Sequence, residues 1–185
     1  MIATLRPLTY DDLRALPDDG QRYEIIDGEL IGTPAPTMDH QRVVGRLYRL
    51  LDDYAPRVEG GEVAFAPFAV RLGHFDAVEP DLVFLTAARP RVPIDESSID
   101  YAPDLVVEVI SPSSRRIDRV RKMALYARSG VSECCIADPM ERILVVNLLQ
   151  SEEYVQVAPG SAGMIASPTL PGLRVDSSEV FSDLD

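Results

Sequence analysis

Glu108 stands inside an otherwise apolar run, Leu105, Val106, Val107, Val109 and Ile110. A carboxylate desolvated in such a strand is costly unless it is paired or bound to a metal. Asp81 follows Pro80 and opens the apolar run Leu82, Val83, Phe84 and Leu85, while Glu24 interrupts Tyr23, Ile25 and Ile26. Three carboxylates on three strands can converge on one hard divalent cation, because Mg²⁺ and Mn²⁺ take oxygen ligands. Each residue also has a plainer reading. Asp81 after a proline suits a simple turn, Glu24 suits the solvent side of an edge strand, and an arginine from a neighbouring helix would satisfy Glu108.

The second chemical signal is cationic. Lys122 is the one lysine among 18 Lys and Arg residues, and it lies in a segment where Arg115, Arg116, Arg119, Arg121, Lys122 and Arg128 face Asp118 alone. A solitary lysine in an arginine-rich chain is either a compositional remnant or a position that needs a compact ammonium. At 100° per residue, Arg115, Lys122 and Tyr126 fall on one side of a helix, and Val120, Ala124 and Ala127 form an expected packing face on another. The segment is then either a solvated surface helix or one that turns Lys122 back toward Glu108 and Asp81.

These side chains must be positioned by regular elements. Thr9 can cap a short helix through Leu16, and Asp27-Gly28 between two apolar pieces is a strong hairpin signal for residues 22–31. Thr37 can cap a helix carrying Val43, Leu47, Leu50, Leu51 and Tyr54 at helical spacing, ending by Pro56. Residues 61–72 read as one strand. Residues 80–85, 104–110 and 133–138 read as central strands, and 104–110 lacks alternation, as a strand buried on both faces does. A helix over 115–129, capped by Ser111 to Ser114 and stopped at Gly130, would cross over from 104–110 to 133–138. Residues 142–149 and 154–157 suggest a hairpin, and the acidic tail reads as a short helix or a frayed end. The order implies one α/β sandwich in a single domain over 1–185.

The chain has 185 residues, 46% hydrophobic content and a net charge of −12, which excludes a disordered chain and argues against a nonspecific nucleic-acid coat protein. Adjacent Cys134 and Cys135 offer no disulfide framework or metal quartet and suit apolar filling of a buried strand. No stretch has the length of a membrane span and the N-terminal residues do not read as a signal peptide, so the expectation is a cytoplasmic protein without membrane contact. Exposed apolar strands on a small domain make a homodimer the expected assembly.

Taken in order, Tyr23 to Leu30, His40-Gln41, Pro80-Asp81-Leu82, Asp104 to Ser113, Lys122 with Tyr126, Gly130-Val131 and Asp138-Pro139 resemble the Uma family of restriction-endonuclease-like proteins, within the PD-(D/E)XK nuclease superfamily. The resemblance covers nearly the whole chain. It implies a restriction-endonuclease-like α/β fold, a mixed sheet flanked by helices, and metal-assisted hydrolysis of phosphodiester bonds in a nucleic acid, expected to be DNA. Position by position it makes Asp81 and Glu108 the metal-holding acids together with the Val109 carbonyl, with Mg²⁺ or Mn²⁺ as cofactor. The superfamily pattern expects lysine two residues after the second acid; Ile110 stands there, and Lys122 would be the lysine migrated to the following helix. Glu24 matches an extra N-terminal carboxylate of the site. His40 matches a histidine at the start of the second helix and, with Arg115, Arg119 and Tyr126, is expected either to touch substrate or to support the metal-binding residues. Cys134-Cys135 replaces the aromatic pair usual in relatives. The rival readings are a noncatalytic binding or regulatory module on the same fold and a metal hydrolase of small phosphorylated molecules.

Overall fold

The computed structural model describes residues 6–33, 35–93, 96–111, 117–160 and 163–184. Thr9 caps α1 (Tyr10–Arg14) through a capping box with Asp12. Then β1 (Arg22–Ile26) and β2 (Glu29–Thr33) pair antiparallel around Asp27 and Gly28, which have φ of 55° and 74°. Both values are positive, as the hairpin turn that matches strand twist requires. A Cβ on Gly28 would lie 2.4 Å from Pro7 Cβ, so space as well as φ demands glycine there. Thr37 caps α2 (Met38–Tyr54), whose Val43, Leu47, Leu51 and Tyr54 are buried.

The expected single strand over 61–72 is two: β3 (Glu62–Phe65) and β4 (Ala69–Gly73), which belong to different sheets. Pro67 between them has no N–H to continue a ladder, and the chain changes sheet there. The remaining elements are β5 (Asp76–Val78), β6 (Leu82–Leu85), β7 (Ser98–Ile99), β8 (Leu105–Val109), a π-helical turn (Ile117–Lys122) running into α3 (Met123–Arg128), β9 (Glu133–Asp138), β10 (Ile143–Gln150), β11 (Glu153–Gly160), β12 (Met164–Ala166), β13 (Arg174–Asp176) and α4 (Ser177–Val180).

A six-stranded mixed sheet runs β11-β10-β9-β8-β6-β3, and a five-stranded sheet runs β2-β1-β5-β4-β7. β8 and β9 are parallel and joined through α3, as expected of a crossover. Alternation along the central strands divides the core. Leu82, Phe84, Leu105, Val107 and Val109 pack toward α2 and the C-terminal elements, whereas Val83, Leu85, Val106 and Ile110 pack toward the five-stranded sheet and α3. Cys134 and Cys135 are buried on these opposite sides.

The tail is a packed element. Val180, Phe181 and Leu184 are buried, and Arg46 donates to the carbonyls of Val180 and Ser182 while Arg142 donates to that of Leu184. Arginines here serve the orphan carbonyls of a helix end. None of the described helices is long and apolar enough to cross a membrane.

Candidate functional site

Strand parity decides where the acids point. Glu108 has the parity of Val106, and Asp81 that of Val83, so both face the seam between the two sheets. The pairing of Leu82 with Val107 sets Asp81 and Glu108 next to each other in register. On β1, Glu24 has the parity of buried Ile26 and reaches the same seam from the other sheet. The three carboxylates, Lys122 and His40 line one cleft with Arg22, Glu79, Val109 and Ser111. It encloses about 530 Å³, counting its open mouth.

Glu24, Glu108 and Lys122 are 3%, 2% and 4% exposed, which excludes the solvent-facing reading of Glu24. The Lys122 ammonium lies 2.8 Å from Glu24 Oε1 and 3.2 Å from Glu108 Oε1. One cation thus compensates two carboxylates from different sheets, and among the described residues the charged partner of Glu108 is this lysine. Tyr126, fully buried, donates its hydroxyl to Glu108 in a short hydrogen bond. Burial first, and then the negative charge of Glu108, hold its phenol well above the ordinary tyrosine value, so it remains a donor. The backbone N–H of Glu79 donates to Glu24 Oε1 at 2.7 Å.

Asp81 is fixed differently. Its Oδ2 accepts the Val109 N–H at 2.7 Å and lies 3.3 Å from His40 Nε2. His40 sits in the first turn of α2, where Thr37 Oγ1 accepts the His40 N–H, and its Nδ1 is buried without a hydrogen-bond partner among the described residues. The ring is therefore held against Asp81 by a single polar contact. In extended backbone the N–H and C=O of one residue leave the same strand edge, so the Val109 carbonyl points toward the side where Asp81 sits.

The expected inside and outside of this helix are exchanged. Lys122, Leu125 and Tyr126 turn inward, while Val120 is 60% exposed and Ala124 is also exposed. The 100° grouping itself holds across the π-helical turn over Ile117–Lys122, with Lys122 beside Tyr126 and Val120 beside Ala124; the face that turns inward is the one whose lysine meets the buried carboxylates of Glu24 and Glu108. Arg119 does not line the cleft; its guanidinium pairs with buried Asp138 at 3.0 Å. Arg115 and the expected cap at Ser113 and Ser114 lie outside the described residues.

Two charged cleft residues carry no mark in the sequence reading, Arg22 and Glu79. Glu79 directly precedes Pro80-Asp81, and Arg22 stands two residues before Glu24 on the same strand face. Strand parity with an already suspected acid was the available signal for Arg22. Burial as the largest cause, opposed by Arg22, pushes the Glu79 carboxyl up from its ordinary value.

The donor set suits a hard cation: the Asp81 and Glu108 carboxylates with the nearby Val109 carbonyl are all oxygen. Among the described residues no three His, Cys, Asp or Glu side chains already converge at ligand distance. The Glu108 carboxylate is instead met by Lys122 and Tyr126. The residues therefore fit Mg²⁺ or Mn²⁺ by chemistry, with Glu108 having to exchange part of its contact with Lys122 on binding.

Comparison with known proteins agrees with this architecture. A putative nuclease belonging to DUF820 from Anabaena variabilis is similar in structure at a TM-score of 0.79 and 20% identity, over 95% of this chain and 98% of that one. At that identity the likeness shows a shared fold. No curated protein matches the chain. The family model Uma2, described as putative restriction endonuclease, matches residues 10–178, so the chain belongs to the Uma2 family.

Proposed function

We propose that this chain is a divalent-metal-dependent endonuclease that hydrolyses phosphodiester bonds in DNA. One observation supports the reading most: the single lysine of the sequence is buried in the cleft between Glu24 and Glu108, with Asp81 lining the same cleft. Mg²⁺ or Mn²⁺ held by Asp81, Glu108 and the Val109 carbonyl would polarise the phosphate and lower the pKa of an attacking water. Asp81 enters this chemistry already oriented, because the Val109 N–H and His40 fix one of its oxygens. Lys122 orients the water or stabilises negative charge developing on the phosphate, a task for which a preorganised buried ammonium is suited. Glu24 holds Lys122 in place, and Tyr126 keeps Glu108 aimed into the cleft.

The same reading takes the working unit to be a homodimer, in which two clefts would serve two strands. Phe65, 56% exposed on edge strand β3, is an apolar contact of the kind such a pairing covers. Light scattering of the purified chain checks the mass.

The direct test is incubation of rigorously purified protein with supercoiled and linear DNA in Mg²⁺ and in Mn²⁺. Nicking is expected, and it disappears in Asp81→Ala, Glu108→Ala and Lys122→Ala variants that remain folded by circular dichroism. Cleavage by all three variants at the wild-type rate, or none by wild type in any metal, would sink the proposal.

A further inference from the structure

The cleft holds a second cation whose position differs in kind from that of Lys122. Lys122 is sealed between two carboxylates, and the basic residues described on the following helix, Arg119, Arg121 and Arg128, are engaged elsewhere. Arg119 pairs with Asp138 at 3.0 Å, Arg121 with Glu29 at 2.8 Å, and Arg128 with Asp27 at 2.7 Å and Asp76 at 3.0 Å. Arg22 has no such commitment. Its side chain is 36% exposed, and its charged partner among the described residues is Glu79 at 4.0 Å, the outer limit of an ion pair. No hydrogen bond from its guanidinium to a described residue accompanies that contact. Arg22 nevertheless lines the same cleft as Asp81, Glu108 and Lys122.

Its direction is set by the strand. Arg22 and Glu24 are two apart on β1, so both side chains leave the same face, Glu24 at the buried end and Arg22 toward the mouth. Thr33 is the register partner of Arg22 and also lines the cleft. Glu79 lies near enough to bias the guanidinium toward the acids and too far to occupy its donors. A guanidinium has a planar fork that matches two oxygens of a phosphate, and its charge does not depend on pH in the working range.

Resting on the endonuclease reading, we infer that Arg22 is the phosphate-contacting residue of the cleft, taking two oxygens of a DNA backbone phosphate and seating that strand against Asp81 and Glu108. A chain of net charge −12 repels DNA overall, so a contact supplied by one uncommitted guanidinium inside an acidic cleft governs where a strand can enter.

The test compares wild type, Arg22→Ala and Arg22→Lys by fluorescence anisotropy with a short fluorescein-labelled DNA duplex in Ca²⁺, over a salt titration, alongside cleavage kinetics in Mg²⁺ or Mn²⁺. Loss of a bidentate charged contact is expected to weaken binding by about tenfold or more in Arg22→Ala. The slope of log affinity against log salt should fall by about 0.9, one phosphate contact on a duplex. Arg22→Lys should keep the slope and regain only part of the affinity. In cleavage, KM should rise in Arg22→Ala by more than kcat falls. The Arg22 guanidinium makes no hydrogen bond to a described residue, so the melting temperature should stay near wild type and separate a binding defect from unfolding.

If wild type binds and cleaves DNA while Arg22→Ala keeps its affinity, salt slope and KM, the inference about Arg22 is wrong and the endonuclease reading stands. The same unchanged binding accompanied by a lower melting temperature shows a purely structural role and overturns it equally. If wild type neither binds nor cleaves DNA, both fall together.

Discussion

Replacing Lys122 by methionine keeps the length of the side chain and removes the charge that neutralises two buried carboxylates. Glu24 Oε1 and Glu108 Oε1 lie 2.8 and 3.2 Å from the ammonium, and the three side chains are 5% exposed or less. Methionine leaves both acids in the seam between the sheets, where among the described residues the Glu79 N–H donates to Glu24 and the Tyr126 hydroxyl to Glu108. Removing one partner of a buried pair costs about 3–5 kcal/mol, far above the value of an exposed pair. For a chain of this size that corresponds to a melting temperature lower by roughly 6–20 °C. The assay is urea unfolding followed by circular dichroism with EDTA present, so that no metal can replace the ammonium. Adding Glu24→Gln to Lys122→Met removes one of the stranded charges, and the double variant should be more stable than the sum of the single effects by about 0.5–3 kcal/mol. A Lys122→Met protein within about 0.5 kcal/mol of wild type, the range of a plain surface change, would refute the claim that this ammonium compensates the seam. Strict additivity with Glu24→Gln would refute the shared contact.

Other expectations follow from the same contacts. Tyr126→Phe deletes a donor to a buried carboxylate while keeping the ring, so it should cost about 1.5–3 kcal/mol in urea unfolding and slow any metal-dependent cleavage. Glu79→Gln should stabilise the protein at neutral pH: the folded carboxyl value is raised, mainly by burial, so the folded state disfavours the ionised form. The stabilising contribution of protonated Glu79 is present below the ordinary glutamate value of 4.5 and lost as pH rises through the folded value. The gain from glutamine should therefore vanish in acid, and a gain that is constant with pH would contradict the burial argument. Gly28→Ala meets Pro7 at 2.4 Å with φ at 74°, and should lower stability by about 1–3 kcal/mol through strain and crowding. Thermal unfolding measures that loss.

Much of the frame was readable because its signals are local. The Asp27-Gly28 hairpin, the Thr9 and Thr37 caps, and the apolar runs at β6, β8 and β9 each follow from a few adjacent residues. Glu108 was conspicuous for the same reason, since its neighbours along the chain are all apolar. What escaped depends on contacts between distant segments. The 100° spacing grouped Lys122 with Tyr126 and Val120 with Ala124 as the structure does, but which face turns inward was not readable, because the carboxylates that draw Lys122 in stand on distant strands. Arg22 and Glu79 join the cleft only when the five-stranded sheet packs on the six-stranded one. Residues 61–72 read as one strand because composition does not reveal that Pro67 marks a change of sheet.

The division of the acids between two sheets has a dynamic consequence. Glu24 belongs to the five-stranded sheet and Glu108 to the six-stranded one, so the cleft exists only while the two are docked. Salt bridges from Arg121 and Arg128 to Glu29, Asp27 and Asp76 brace that docking at the hairpin, and their exposure makes them sensitive to ionic strength. A subglobal opening that lifts the hairpin would dismantle the site while the central strands remain folded. Amide hydrogen exchange along Tyr23 to Ile26, compared with Val106 to Val109, thus becomes a clock for site assembly: faster exchange in the first segment would measure how often the molecule is folded yet without its cleft.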